Sequence, residues 1–303
     1  MRRKILIGVI LVVLLMGVAG LLTKGLFTPK IGLCLNGADG ALRDELALAG
    51  YTVLSRNSEN SQEIQNQQVQ ELLKEKVDIL VIQPVDADAV SQILQMAAEK
   101  TVIFIGEEPK ELGNAYYVGS DISQQGAVQV QMLEAFFGKV DINSDRIVDY
   151  MTISGPESEP ESQVYLQSVA TAMAEKPAVQ LEKAYCAADA GAARTMCRQA
   201  FSKYGRDLEL ILCNCDSVAQ GAAAAVSDGG REPGKDVIIF AIGAEAKLKE
   251  MVRIGTVTAA AVEDKAAIIS RVVRLIEELK KEDVANHKQY VNYKILTIDN
   301  VNP

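Results

Sequence analysis

The chain has 303 residues, enough for two domains with cores of their own, and its formal net charge of −9 at pH 7 argues against a nucleic-acid partner, whose phosphates an acidic surface repels. It has one histidine, no tryptophan and five cysteines without C-x-x-C spacing. That leaves little for imidazole catalysis or thiol–metal chemistry, and the cysteines read as small buried hydrophobes.

The N-terminus begins MRRKILIGVILVVLLMGVAGLLTKG, in which Arg2, Arg3 and Lys4 precede an uncharged apolar run from Ile5 to Leu22. That run is longer than the ~7 to 15 residues of a cleavable signal core and close to the ~20 that span a bilayer. The expectation is an uncleaved signal anchor over residues 1–28, its basic end cytoplasmic and the bulk of the chain extracytoplasmic at the cell membrane. The first cysteine beyond it, Cys34, lies too far on for lipid attachment.

From residue 30 short β-rich runs (KIGLCLN, YTVLSRN, VDILVIQPV, TVIFIG, AYYVGSD) alternate with helical spacing, as in Val90, Ile93, Leu94 and Ala97. Strands separated by helices predict a parallel sheet covered on both faces. A longer helix over about 123–138 and an acidic stretch precede a second series: RIVDYMTISG, VQLEKAYCA, LELILCN, VIIFAIG and GTVTAAAV. Two similar α/β halves fit the length better than one sheet of ten strands. A helix with Ile268, Ile269, Val272, Ile276 and Leu279 on one face and a last strand, YVNYKILTID, predict a return to the first half. The expected lobes are 30–118 plus 261–288 and 119–260 plus 289–303.

No G-x-S-x-G, H-E-x-x-H or G-x-x-x-x-G-K-[ST] occurs, and His287 sits in the polar stretch EDVANHKQY, so an enzyme is not expected. The acidic stretch VDINSDRIVDY asks for a cation: Asp141, Asn143, Asp145, the carbonyl of Ile147 and Asp149 fall at positions 1, 3, 5, 7 and 9 of an EF-hand loop. Position 12 is Thr152 and not Glu, and position 6, where a positive φ is wanted, is Arg146. A polar turn entering a strand is the alternative.

EPKELGNAYYVGSDISQQG, VDINSDRIVDYMTISGPESEPES and LELILCNCDSVAQGAAAAV, in this order and spacing, resemble bacterial galactose/glucose-binding proteins of the type I periplasmic-binding fold. The resemblance spans about residues 31–299. It implies an α/β fold of two doubly wound parallel-sheet lobes joined by a hinge of several crossovers, a small polar ligand in the cleft between the lobes, and a structural Ca²⁺ whose missing carboxylate is Glu209. Transferred residue by residue, the family's sugar site departs at several positions. Gln83 stands where the family has Asn, its His-x-Asp-x-x-x-Arg reads Glu159-Pro160-Glu161 and then Tyr165, and its Trp, Asn and Asp fall at Ala188, Cys215 and Gly243. No aromatic accompanies Asp39 after the first strand.

The polar residues expected at strand ends, where such folds bind ligands, are Asn36, Asp39, Gln83, Glu107, Glu159, Glu161, Asn214 and Asp216. Asp216 could equally cap the helix it precedes. The implied role is a membrane-tethered solute-binding protein delivering a sugar to an ABC permease. The alternative is a receptor subunit beside a membrane sensor kinase or chemoreceptor.

Overall fold

The computed structural model describes residues 28–37, 40–187, 189–243 and 245–301. The expected anchor, but for its last residue, and Asp39 lie outside the described residues; among these, no helix is long and apolar enough to cross a membrane.

The chain forms two compact units, one running to Gly119 and resuming over Lys265–Val291, the other comprising Ser120–Asp264 and the segment from Asn292 on. The changes of unit fall after Gly119, Asp264 and Val291, against the expected positions 118, 260 and 288. In the first unit β1 (Lys30–Leu35), α1 (Gly40–Leu48), β2 (Thr52–Asn57), α2 (Gln62–Lys74), β3 (Ile79–Ile82), α3 (Ser91–Met96), β4 (Thr101–Ile105) and β5 (Tyr116–Gly119) alternate. In the second, α4 (Gln125–Val140) leads into β6 (Val148–Ser154), α5 (Pro160–Met173), β7 (Ala178–Tyr185), α6 (Ala190–Tyr204) and β8 (Leu210–Cys213). There follow α7 (Asp216–Asp228), β9 (Ile238–Ile242), α8 (Ala246–Arg253) and β10 (Ala259–Glu263). The chain then returns to the first unit for α9 (Lys265–Leu279) and β11 (Lys288–Tyr290), and to the second for β12 (Tyr293–Leu296).

Sheet order is β11-β5-β4-β3-β1-β2 in one unit and β12-β10-β9-β8-β6-β7 in the other. Every pairing is parallel except β12 on β10. Of the last expected strand, YVNYKILTID, only Tyr290 belongs to β11 in the first sheet, while Tyr293–Leu296 forms β12 in the second.

The sequence dictates this layering through apolar runs that leave no polar face. Ile79–Ile82 is buried at all four positions, as a central parallel strand covered on both sides must be. One face of the first sheet packs Ile31, Leu33 and Val81 under Leu42 and Leu46 of α1 and Ile268, Val272, Leu275 and Ile276 of α9. The other packs Cys34, Leu80, Ile82 and Phe104 under Val69, Leu72 and Ile93. Helix α2 starts where Ser61 accepts the Ile64 N–H (3.4 Å), with Glu63 in its first turn and Lys74 in its last, matching the helix dipole.

In the second unit, small residues set the helix spacing. A Cβ on Gly126 would lie 2.2 Å from the Ser168 backbone, so α4 can sit on α5 only without one, and the Gly126 N–H donates to Ser168 Oγ (3.0 Å). All five cysteines are free, four of them buried, and burial pushes the Cys34 and Cys197 thiols up to about 12, which keeps them protonated and inert.

Candidate functional site

Parallel sheets direct the carboxyl ends of their strands to one edge, and ligands of open α/β sheets bind there. In the first unit this edge carries a fixed amide network. The Asn36 N–H donates to Gln83 Oε1 (3.2 Å), Asn36 Nδ2 donates to the Pro84 carbonyl (3.1 Å), and the Ser58 hydroxyl donates to Asn36 Oδ1. Beneath it lies Gln65, fully buried on α2: its Nε2 donates to the Gln83 carbonyl (2.8 Å) and its Oε1 accepts the Val85 N–H (3.2 Å). Gly106, at φ 83°, lets the Gln83 side chain lie along the end of β4, a Cβ there falling 3.3 Å from Gln83 Cγ. Asn36 and Gln83 are thus brought together, and Glu107 is exposed at the same edge.

In the second unit Glu159 holds the N-cap position of α5 without a side-chain cap hydrogen bond, and Glu161 lies in its first turn; both are exposed. The Asn214 N–H donates to the Ile153 carbonyl (3.3 Å), and its buried Oδ1 has no hydrogen-bond partner among the described residues. Asp216 opens α7 and accepts the Glu245 N–H at the start of α8 (2.8 Å). Its carboxylate fills the space over Gly243, where a Cβ would meet Oδ2 at 2.1 Å. Tyr165 is a core residue: fully buried, it donates to Gln129 Oε1 (2.9 Å), and Gln129 Nε2 donates to the Cys213 carbonyl (3.2 Å). Burial raises the Tyr165 phenol well above its ordinary value. Ala188 lies outside the described residues.

The acidic loop winds around its own side chains. Asp141 Oδ2 accepts the Arg146 N–H (3.1 Å), Asn143 Oδ1 that of Asp145 (2.9 Å) and Asp145 Oδ1 that of Ile147 (2.8 Å). Ser144 and Arg146 take positive φ, 62° and 71°, to close the turn. Glu209, 1% exposed, pins the loop to β8, its two oxygens accepting the N–H groups of Asn143 (3.0 Å) and Asp149 (3.1 Å). Burial first, then the charges of Asp145 and Asp207, raise the Asp149 carboxyl above its ordinary value. Asp141 Oδ1 is buried without a hydrogen-bond partner among the described residues. Among these, no group of three or more His, Cys, Asp or Glu side chains is gathered as a metal cage.

A cavity of about 730 Å³ lies between the start of α4 and the outer face of α5, lined by Gln124, Gln163, Gln167 and Thr171 among others, and contains none of the residues expected from sequence. Sequence reading missed Gln65, Gln129 and Ser58, since nothing but burial separates them from solvent-facing polar residues.

The periplasmic binding protein domain model matches residues 35–283. The chain is 27% identical over 251 residues to the D-galactose/methyl-galactoside binding periplasmic protein of Haemophilus influenzae, covering 78% of this chain and 74% of that one. Two solved structures share the fold. The periplasmic ribose ABC transporter protein of Conexibacter woesei gives a TM-score of 0.77 at 14% identity, over 90% of this chain and 93% of that one. The arabinose-binding protein of Geobacillus stearothermophilus gives 0.75 at 13%, over 91% and 98%.

Proposed function

Because the chain belongs to the periplasmic binding protein domain family, with the type I fold of two parallel-sheet units, we propose that it is the extracytoplasmic solute-binding component of a sugar ABC importer, tethered by its apolar N-terminus. The observation that carries the ligand assignment is the amide pair Asn36–Gln83, held in one geometry by Gln65 and Ser58 at the carboxyl edge of its sheet. Preset amides suit hydroxyl groups, because their directional donors and acceptors cost little ordering on binding. Glu107 in the first unit, and Glu159, Glu161, Asn214 and Asp216 in the second, supply further acceptors at strand ends, favouring a ligand rich in donors, such as an amino sugar, or a differently posed sugar; Asp39, outside the described residues, is expected to add another.

The relatives named above bind sugars, but this chain departs from the galactose-type site that the family resemblance implies. Tyr165 stands in the core, and Asp216 excludes any side chain at Gly243. D-galactose and D-glucose are accordingly expected to bind more weakly than about 100 μM, a free energy weaker than about −5.5 kcal/mol. A thermal-shift screen over mono- and oligosaccharides tests the function, since a ligand at 100 times its Kd stabilises by about 2.7 kcal/mol. A screen in which no carbohydrate raises Tm overturns the carbohydrate assignment.

The same reading gives the acidic loop a structural Ca²⁺, held by Asp141, Asn143, Asp145, the Ile147 carbonyl, Asp149 and Glu209. An all-oxygen donor set suits this hard cation, and the positive φ of Arg146 and the buried Asp141 Oδ1, without a hydrogen-bond partner among the described residues, support the assignment. A bound cation would neutralise the loop's carboxylates. The ungathered side chains favour the plain polar turn, and chelation distinguishes the two.

A further inference from the structure

Carbohydrates are held by stacking of their apolar face on an aromatic ring as well as by hydrogen bonds, and this chain has no tryptophan. Among the described aromatic side chains one alone is exposed: Tyr290, at 45%. It ends β11, the edge strand of the first sheet, and β11 runs parallel to β5, so Tyr290 lies at the same carboxyl edge as Asn36 and Gln83.

The ring is held from three directions. Tyr290 Oη donates to Glu108 Oε2 (3.0 Å), and Lys288 Nζ, two residues earlier on the same strand face, pairs with Glu108 Oε1 (2.5 Å). The ring meets that of Tyr117 edge-on, with centroids 6.1 Å apart and planes at 71°. Tyr117 is 1% exposed and donates to the Gly106 carbonyl (2.7 Å). That arrangement depends on Gly119, the β5 partner of Tyr290: a Cβ on Gly119 would lie 2.1 Å from the Tyr117 oxygen. An exposed ring with a buried ring behind it and an ammonium and a carboxylate beside it has little rotational freedom to lose and is inexpensive to cover.

We propose that Tyr290 is a stacking platform for the apolar face of a neutral cyclic polyol, a pyranose, furanose or inositol, with Lys288 and Glu108 orienting the ring and flanking the ligand's hydroxyls. The assignment rests on the carbohydrate reading and names the aromatic contact that the strand-end amides lack.

The test titrates the full chain in detergent with D-galactose, D-ribose, L-arabinose and myo-inositol. At least one should bind the wild type, and Tyr290→Ala should weaken that binding by about tenfold or more, the loss of an aromatic contact. Tyr290→Phe keeps the ring and loses the tether to Glu108, so it should fall between them, while Leu48→Ala, exposed at the end of α1, should bind as wild type does. With no tryptophan to mask it, tyrosine emission should respond to the bound probe in the wild type and lose that response in Tyr290→Ala. Should Tyr290→Ala fail to fold, Tyr290→Leu, which keeps apolar bulk without a planar ring, is read in the same way. A probe that binds the wild type and the Ala variant within about twofold overturns the platform and leaves the carbohydrate reading standing; failure of all four probes to bind the wild type overturns the platform, and the wider carbohydrate screen then decides the carbohydrate reading.

Discussion

Glu209 shows how much one side chain can hold. It is 1% exposed, and both its oxygens accept N–H groups from the acidic loop. Glu209→Gln turns one acceptor into a donor facing an N–H, leaving both groups buried and unsatisfied. Stability should fall by about 1–3 kcal/mol in urea unfolding with the m-value unchanged. Gly243, at φ 139° with the Asp216 carboxylate where a side chain would start, is equally intolerant. Gly243→Ala should cost at least about 1 kcal/mol by the same measurement, from backbone strain and the displaced carboxylate. Residues of this kind differ in legibility. Glu209 is reachable because a run of oxygen-bearing residues at alternate positions asks for a further carboxylate and the family resemblance supplies its place. Gln65 is not, being one of several glutamines along α2 and distinguished by burial alone.

At the scale of elements, the central strands were readable because continuous apolar stretches such as Ile79–Ile82 have no other compact use. The end of the chain was not. Tyr290 and Tyr293 stand three residues apart in a single β-rich stretch, yet they belong to strands of different sheets. Alternation of side chains reports that a segment is extended, never which neighbour it joins. The acidic loop between α4 and β6 is the element whose fate depends most on solution conditions. If Ca²⁺ occupies it, EGTA leaves like charges clustered around Asp149, whose carboxyl is already raised by burial and neighbouring charge. Calorimetry should then show Tm several degrees lower in EGTA than in millimolar Ca²⁺, a shift that Asp145→Ala abolishes. An unchanged Tm, with no calcium by elemental analysis, would assign the loop as a plain turn.

For the whole molecule, the apolar run from Ile5 to Leu22 leads to the expectation that the mature protein keeps its N-terminus and fractionates with membranes. Intact mass and carbonate extraction check this, and a mature start near Leu21 would contradict it. The interleaving of the two units has a temporal consequence of its own. Helix α9 covers one face of the first sheet with Ile268, Val272, Leu275 and Ile276, yet the ribosome makes it only after all of Ser120–Asp264. At elongation rates of about 5–20 residues per second, the N-terminal half waits on the order of ten seconds for the helix that completes its core. During that interval it has no finished tertiary structure to lock it, so a chain still emerging remains able to pass through a narrow pore as an unfolded thread.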